Sequence, residues 1–498
     1  MSSFVYFLFL LTCTIKRARS FNPLKMQSKL ASSLLTNHNP VLKHSSFVKS
    51  SSSSVHNNRA KTTTFCSSTS SQTSKSVSDI FLPSGCSFPG AYISSAEFGR
   101  GLFSKGESPE IAMTSTPMKI CAVVPEDTKE KLTKQGRERL GELYGETMDV
   151  GLPRALSEFL SECEQPKDVR MAVLVLWLCE NSEEWRRYRS ETLPKEYESL
   201  YLASEDELEE LQDVQVKNMA IGSRKMYERQ MEQLLLDPLF LKKGVSDMIR
   251  VEDLGWARSV AHTRAMSGKL EGSDGVQFSC AIVVPGADLT NHRTISNASY
   301  GVSEDGKRYE LKWKTKKSIE DDAREGLPPP PENEREPREG LEMFICYGAR
   351  HPNALLALHY GFVDDTNPND RIPMECVMPG MRKVSFKIVN KAIMELKAKN
   401  DDRAAWAGSQ LLAVSKRSPE NVPDEIADQK RVDAEIVNQM KAATVAALSL
   451  FPTTLEEDEQ IDFGKIKSSR RRVAISYRIT QKRHLHAYQR FLDKLISM

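Results

Sequence analysis

The side chains best suited to chemistry fall in a few short strings. Asn291 and His292 close the run Pro285-Gly-Ala-Asp-Leu-Thr-Asn-His292, and Cys346-Tyr-Gly and His359-Tyr-Gly-Phe362 follow, with Tyr347 and Tyr360 13 residues apart. Amide, imidazole and phenol groups can hold and orient a polar reacting group by hydrogen bonding. Taken singly, each has a blander reading. His292 alone would be a satisfied core or surface histidine, Tyr360 and Phe362 core aromatics, and Arg264 a solvated or ion-paired charge on an amphipathic helix. Weight comes from the order of the strings and from their context.

The elements that must position these residues point to an α+β chain. Residues 83–125 alternate short apolar runs with Gly and Pro, as small β-sheet does, and Gly99-Arg-Gly-Leu-Phe103 falls where a tight turn between strands is expected. From 127 to 270 the pattern is helical: Arg170 to Cys179 reads as a buried apolar helix and 205–236 as an amphipathic series. Strand-like sequence returns at Val276–Val284 and Glu342–Tyr347, separated by Lys- and Glu-rich sequence and a solvated Pro328-Pro-Pro-Pro331 loop. Beyond Arg382, helices are expected at about 383–398, 402–416, 425–449, 453–460 and 473–496. The domains expected are a β-rich core over 83–375, with a helical insert at about 127–250, and an all-α domain over 382–498. There is no internal repeat.

Charge is uneven. Residues 1–78 carry ten Lys or Arg and no Asp or Glu, which leaves 59 basic against 67 acidic residues from 79 onward. A mildly acidic folded portion argues against nucleic acid as partner. Nine cysteines, at 13, 66, 86, 121, 163, 179, 280, 346 and 376, lie singly without any C-x-x-C spacing, so reduced thiols and no metal site are expected. Phe4–Ile15 is a 12-residue apolar run, shorter than the roughly 20 residues that span a bilayer and suited to a signal-peptide core. The basic patch Lys16-Arg17-Ala-Arg19 and then a Ser/Thr-rich, carboxylate-free stretch to residue 78 follow it. A signal-like segment 1–20 before a transit-peptide-like region 21–78 resembles the bipartite leader of complex plastids, so plastid stroma is the expected location. A secretory signal or a mitochondrial leader is the alternative. No other run is apolar enough to span a membrane, and a monomer is expected.

In order along the chain, the strings resemble the SET-domain protein methyltransferases of the Rubisco large-subunit lysine methyltransferase type. Gly99-Arg-Gly-Leu-Phe103 resembles the opening glycine loop. Trp185, Tyr188 and Leu193-Pro194 resemble the insert's W-x-x-Y…L-P pattern, and Trp256 to Arg264 the helix that returns to the core. Gly340 to Gly348 resembles the G-E-E-x-x-x-x-Y-G strand, with Asn353 and Leu356 leading to Tyr360-Gly-Phe362. Phe451 to Asp458, with Arg478 and Lys482, resembles the helical substrate-binding domain. The resemblance implies S-adenosyl-L-methionine as cofactor and no metal. It implies that Gly99, Arg100 and Gly101 approach the methionine part, that Arg264 pairs with its carboxylate, that Asn291 and His292 hold its amino and adenine ends, and that Phe362 stacks on the adenine. Tyr347 becomes the catalytic tyrosine, Tyr360 and Tyr300 walls of the acceptor channel, and Asp288 a neighbour of the substrate.

The acceptor implied is a lysine of a plastid protein such as the Rubisco large subunit or fructose-bisphosphate aldolase. Met266 is apolar where histidine-methylating relatives carry a polar side chain. The alternatives are a histidine methyltransferase and a non-catalytic interaction protein on the same scaffold. Gly286 and Thr290 stand where larger apolar residues are usual, which is expected to loosen the pocket floor. Gly268 replaces an arginine of the Rubisco enzyme. The basic run Lys465–Arg490 reads as a solvated helix face, and the sequon Asn297-Ala-Ser299 as silent.

Overall fold

A computed structural model describes residues 80–498 except 97–98, 107–113, 129–130, 147–150, 243, 273–274, 325–328, 349, 381–382 and 417–431. The signal-like and transit-like regions lie outside the described residues, as do Pro328 and the first part of the helix expected at 425–449.

Among the described residues, ten short strands form four small sheets. The hairpin β1 (Ala91–Ala96) and β2 (Gly99–Ser104) pairs Ala91 with Ser104. β3 (Thr114–Pro117) belongs to a three-stranded sheet ordered β3-β9-β8, and β4 (Ala122–Pro125) to one ordered β4-β6-β5. These are completed by β5 (Ala265–Glu271), β6 (Gln277–Val283), β8 (Ala298–Val302) and β9 (Arg308–Trp313), and β7 (Asn291–His292) runs parallel to β10 (Phe344–Ile345). Gly99–Phe103 therefore lies within β2, not in a turn. It pairs with β1 along its length, and Gly101, Leu102 and Ser104 are buried, Leu102 fully. The strand expected over Glu342–Tyr347 is confined to β10. The β8–β9 hairpin, in the stretch read as merely charged, alternates Tyr309, Leu311 and Trp313 inward.

Helices of eight or more residues are α1 (Lys134–Glu146), α2 (Arg154–Glu162), α3 (Lys167–Asn181), α4 (Val214–Leu235), α5 (Leu254–Arg264), α6 (Lys316–Arg324), α7 (Asn353–Tyr360), α8 (Phe386–Ala398), α9 (Asp402–Lys416), α10 (Ala434–Ser449) and α11 (Ser469–Ile496). α3 is buried from Val169 to Cys179 and forms the spine of the insert. Arg170 is buried there with no ion pair among the described residues; its guanidinium donates to the carbonyls of Leu160, Gln165 and Pro125, which fixes the insert to β4. The class is α+β, with the first apolar cluster uniting the strands and α1–α3 and a second gathering α8–α10 and the last turns of α11. A third cluster joins Val473, Ala474 and Tyr477 of α11 to Leu208, Val216 and Tyr227 of the insert and to Ala357 and Leu358 of α7.

That placement corrects the reading of Lys465–Arg490 as a solvated face. Arg478, Lys482 and His484 are buried, because α11 is enclosed between the insert and the C-terminal helices. Their polar groups are met internally: Arg478 by Glu210 and Asp458, Lys482 by Asp458, and the His484 ring by a 2.9 Å hydrogen bond with Asp370.

Candidate active site

Three distant segments meet around β7. Backbone hydrogen bonds from Met343 to Leu102 (2.7 Å) and from Ser104 to Leu341 (2.8 Å) lay the 340–343 segment along β2, and Arg293 donates to Ile345 (3.0 Å) on its other side. Asn291 thereby faces the glycine string: its amide donates to the Arg100 carbonyl (3.2 Å) and to Glu342 Oε1 (2.7 Å). A Cβ on Gly101 would stand 2.3 Å from that Glu342 oxygen and 3.0 Å from the Asn291 amide nitrogen, so any larger residue there would displace the pair from each other. Asn297 joins the same segments, donating to the Glu342 carbonyl (2.9 Å) and accepting from the Phe344 amide (2.8 Å). With its side chain so engaged and 2% exposure, it is no surface acceptor for a glycan.

His292 Nδ1 accepts the Tyr347 amide at 2.9 Å, which requires the ring to be unprotonated at that nitrogen. The rings of His292 and Tyr347 lie 5.1 Å apart, those of His292 and Phe362 5.6 Å, and those of Tyr347 and Tyr360 5.0 Å. The Tyr347 hydroxyl donates to the Thr290 carbonyl at 2.7 Å. Burial is the largest cause raising its pKa, with the Arg264 charge opposing, so the phenol stays protonated and its oxygen keeps lone pairs to offer an incoming N–H. Tyr360 is pushed up to about 12, by burial first and then by Tyr300 and Cys346. It ends α7, which Asn353 anchors by exchanging hydrogen bonds with the Asp364 backbone (2.8 Å each way) and donating to Asp370 (2.7 Å). Tyr300, on β8, is 37% exposed and stacks on Tyr309 at 6.3 Å.

Arg264 and Asp288 are placed differently from the expectation. The Asp288 carboxylate is not on an open wall: it is fully buried, accepting from the Tyr188 hydroxyl and the Gly286 amide (3.1 Å). Arg264 Nη1 donates to the Asp288 carbonyl at 2.8 Å and approaches its carboxylate at 3.4 Å. Burial would lower the guanidinium's pKa, but Tyr197 and Asp288 raise it above its ordinary value, so the charge is secure. Among the described residues Arg264 Nε is buried without a hydrogen-bond partner, although the Tyr197 hydroxyl interacts with the same guanidinium, and Thr290 Oγ1 and His351 Nδ1 beside the cluster are likewise unpartnered. The charge of Arg264 is, after burial, the chief influence lowering the pKa of Arg100. Two guanidinium groups acting on one region favour an anion there, and a carboxylate fits both that charge and the orphaned Nε.

The floor is not loosened at Gly286. Its φ is +91°, and a Cβ there would stand 2.6 Å from the Phe88 ring, which takes the space of a larger residue. Gly286→Ala should therefore cost about 1–3 kcal/mol through backbone strain and overpacking, read as a lower midpoint in chemical denaturation; an unchanged midpoint would show that Phe88 gives way freely. Among the described residues there is no group of three or more His, Cys, Asp or Glu side chains arranged to hold a metal, and all seven described cysteines are free.

The imidazoles give a pH signature. Burial first, then the neighbouring His351, lowers His292 to about 4, and burial with His262 and His351 lowers His359 to about 3. In the unfolded chain both titrate near 6.5. The unfolded state thus binds the extra protons first, so the stability tied to the neutral rings is complete above about pH 6.5 and is lost as pH falls toward 4 and then 3. The loss at His292 is on the order of 3 kcal/mol, and thermal melts from pH 7 to pH 4 should show a falling midpoint. A flat profile over that range would contradict the neutral-ring assignment.

Residues 399–485 match the Rubisco LSMT substrate-binding family. Over 351 residues, 61% of this chain and 63% of the relative, the sequence is 22% identical to the chloroplastic ribulose-1,5 bisphosphate carboxylase/oxygenase large subunit N-methyltransferase of Nicotiana tabacum. Over 346 residues, 64% of this chain and 67% of the relative, it is 27% identical to the chloroplastic [fructose-bisphosphate aldolase]-lysine N-methyltransferase of Arabidopsis thaliana. It is also 28% identical to the actin-histidine N-methyltransferase of Canis lupus familiaris, over 206 residues that make up 40% of this chain and 30% of that one. The chain spans no more than about two thirds of the length of these relatives. The C-terminal helices are thus similar to the Rubisco LSMT substrate-binding family, and the longer matched stretches are similar to proteins named as N-methyltransferases.

Four residues that the sequence reading gave no role shape this site. Tyr188 seats Asp288, Glu342 holds Asn291, and His262 and His359 stand behind Tyr360. All four lie within the motifs singled out in the sequence, so their positions were visible although their partners were not.

Proposed function

We propose that this chain transfers a methyl group from S-adenosyl-L-methionine to a lysine side chain of a plastid protein. One observation carries the reading: two half-buried, protonated tyrosines, a neutral histidine, an arginine with an orphaned nitrogen and a glycine strand meet at one place from five separate segments. Gly99, Arg100, Gly101, Arg264, Asn291, His292 and Phe362 would hold the cofactor, which supplies an electrophilic methyl group carried on a sulfonium. Tyr347 offers its hydroxyl oxygen to the acceptor amine and fixes its direction. Tyr360, with Tyr300 outside it, walls the channel. Enclosure by uncharged rings favours the neutral amine, because burial penalises the ammonium form.

The names of the chloroplastic relatives support a plastid location, with the Rubisco large subunit and an aldolase as the first substrates to try. The similarity to actin-histidine N-methyltransferase keeps a histidine acceptor as the second reading. The test is transfer of label from radiolabelled S-adenosylmethionine into a stromal protein extract, with mass spectrometry of the labelled band. Methyl on a lysine Nζ supports the proposal; methyl on imidazole moves the assignment to the second reading, and cofactor binding without transfer to any stromal protein removes the plastid substrate.

A further inference from the structure

Four of the chain's nine histidines stand around the two tyrosines, and only His292 belongs to the cofactor side. Of the other three, His351 lies 6.3 Å from Tyr360 and His262 stacks on it at 6.3 Å with 24° between planes. His262 Nε2 and His359 Nδ1 are 2.9 Å apart, a hydrogen bond between two imidazoles. One ring must donate and the other accept, so at least one of the two rings is neutral. Burial, the largest cause in each, lowers the pKa of both.

The location of this bond gives it meaning. His262 lies two residues before Arg264 near the end of α5, and His359 immediately precedes Tyr360 at the end of α7. A single contact therefore ties the helix that carries the arginine of the cofactor side to the helix that carries the tyrosine of the acceptor side. The insert completes the enclosure. Tyr201 and Tyr227 place ring edges on His262 at 5.9 and 5.8 Å, and Ser199 Oγ donates to the His359 carbonyl at 2.7 Å. Tyr201 is itself held through its hydroxyl, 3.2 Å from Ser259 Oγ on α5. α7 has two turns, so the last of them depends on such side contacts for its orientation.

We propose that His262 and His359 are positioning residues that fix Tyr360 in the acceptor channel and hold the acceptor side in register with the cofactor side. This rests on the methyltransferase reading for its consequence, but not for its geometry. The two rings act through Tyr360 and are not themselves catalytic.

The substitutions that test it follow from the atoms used. His262→Phe keeps a ring against Tyr360 and removes the hydrogen bond, whereas His262→Gln returns an amide nitrogen near the lost Nε2. In the full chain, amide hydrogen exchange over 353–362 should quicken about tenfold in the Phe variant, a loss of one local coupling, and recover in the Gln variant. Exchange over 99–104 should not change. Labelled transfer from S-adenosylmethionine into a stromal extract should show kcat down about tenfold in Phe and restored in Gln, with cofactor affinity by calorimetry unaltered in both. Unchanged exchange over 353–362 in the Phe variant, or a loss that Gln fails to restore, overturns the positioning role whatever the activity. Exchange that responds as expected in a protein whose wild type transfers no methyl group leaves the positioning role standing and removes the methyltransferase reading.

Discussion

Replacing Tyr347 with Phe is expected to lower methyl transfer by about 100-fold or more, the usual cost of removing one preorganised hydroxyl from a reacting centre, while cofactor affinity stays within about twofold. The substitution deletes a single oxygen. The ring keeps its packing against His292 and Tyr360, and the Tyr347 amide still donates to His292 Nδ1. The lost bond to the Thr290 carbonyl costs on the order of 1 kcal/mol, which the fold withstands. What disappears is the hydroxyl oxygen whose direction that carbonyl sets. Transfer assays and calorimetry on the same preparation separate the two effects. Undiminished turnover would take Tyr347 out of the chemistry and leave Tyr360, whose hydroxyl oxygen is the next available, as the candidate.

The local elements were legible where periodicity and breakers agree. The run from Arg170 to Cys179 could only be a buried helix, and the C-terminal helices begin and end near their Pro and polar boundaries. The strand positions were harder, because strands of two to seven residues carry little alternation to read and depend on partners far away in sequence. Gly99–Phe103 reads as a turn because glycines usually mark one, yet here Gly101 leaves room for Glu342, which comes from more than 200 residues away to lie against it. The structure brings most of the candidate site residues close together, as their order along the chain suggested, but their pairings were not legible. Arg264 and Asp288 were both singled out, for a cofactor and for a substrate, and the structure pairs them with each other. The His262–His359 bond was invisible for the same reason: 97 residues separate two histidines that each look like ordinary helix positions. On α11, charge alone suggested solvent, whereas burial is decided by what packs on both sides of the helix.

The second large effect lies in that buried charge. Asp458→Asn is expected to destabilise the protein by about 3–5 kcal/mol, the cost of breaking a buried ion pair by removing one partner. Asp458 accepts from Arg478 at 2.9 Å, from Thr453 Oγ1 at 2.8 Å and from Lys482. Lys482 is 1% exposed and has only neutral oxygens besides, the Thr453 carbonyl at 2.7 Å, Thr453 Oγ1 at 2.8 Å and Gln212 Oε1 at 3.2 Å. An amide in place of the carboxylate keeps the shape and removes the compensating charge, leaving an ammonium enclosed. Burial alone would raise the Asp458 pKa, but the hydrogen bonds from Arg478, Lys482 and Thr453 outweigh it and hold the carboxyl below the ordinary carboxylate range. Its folded pKa being depressed, this stability is full above the unfolded value near 4 and is lost as pH falls through the folded one. The effect should reach the active site, because Val473, Ala474 and Tyr477 of α11 pack on Ala357 and Leu358, the residues just ahead of Tyr360. A thermal midpoint lower by roughly 5–10 °C, together with faster exchange in α7, is the expected result at pH 7. Combining Asp458→Leu with Lys482→Met removes both charges at once and should recover much of the loss. If that double variant melts no higher than Asp458→Asn, the stabilisation lies in the hydrogen bonds to Thr453 and Gln212 and not in the compensation of charge.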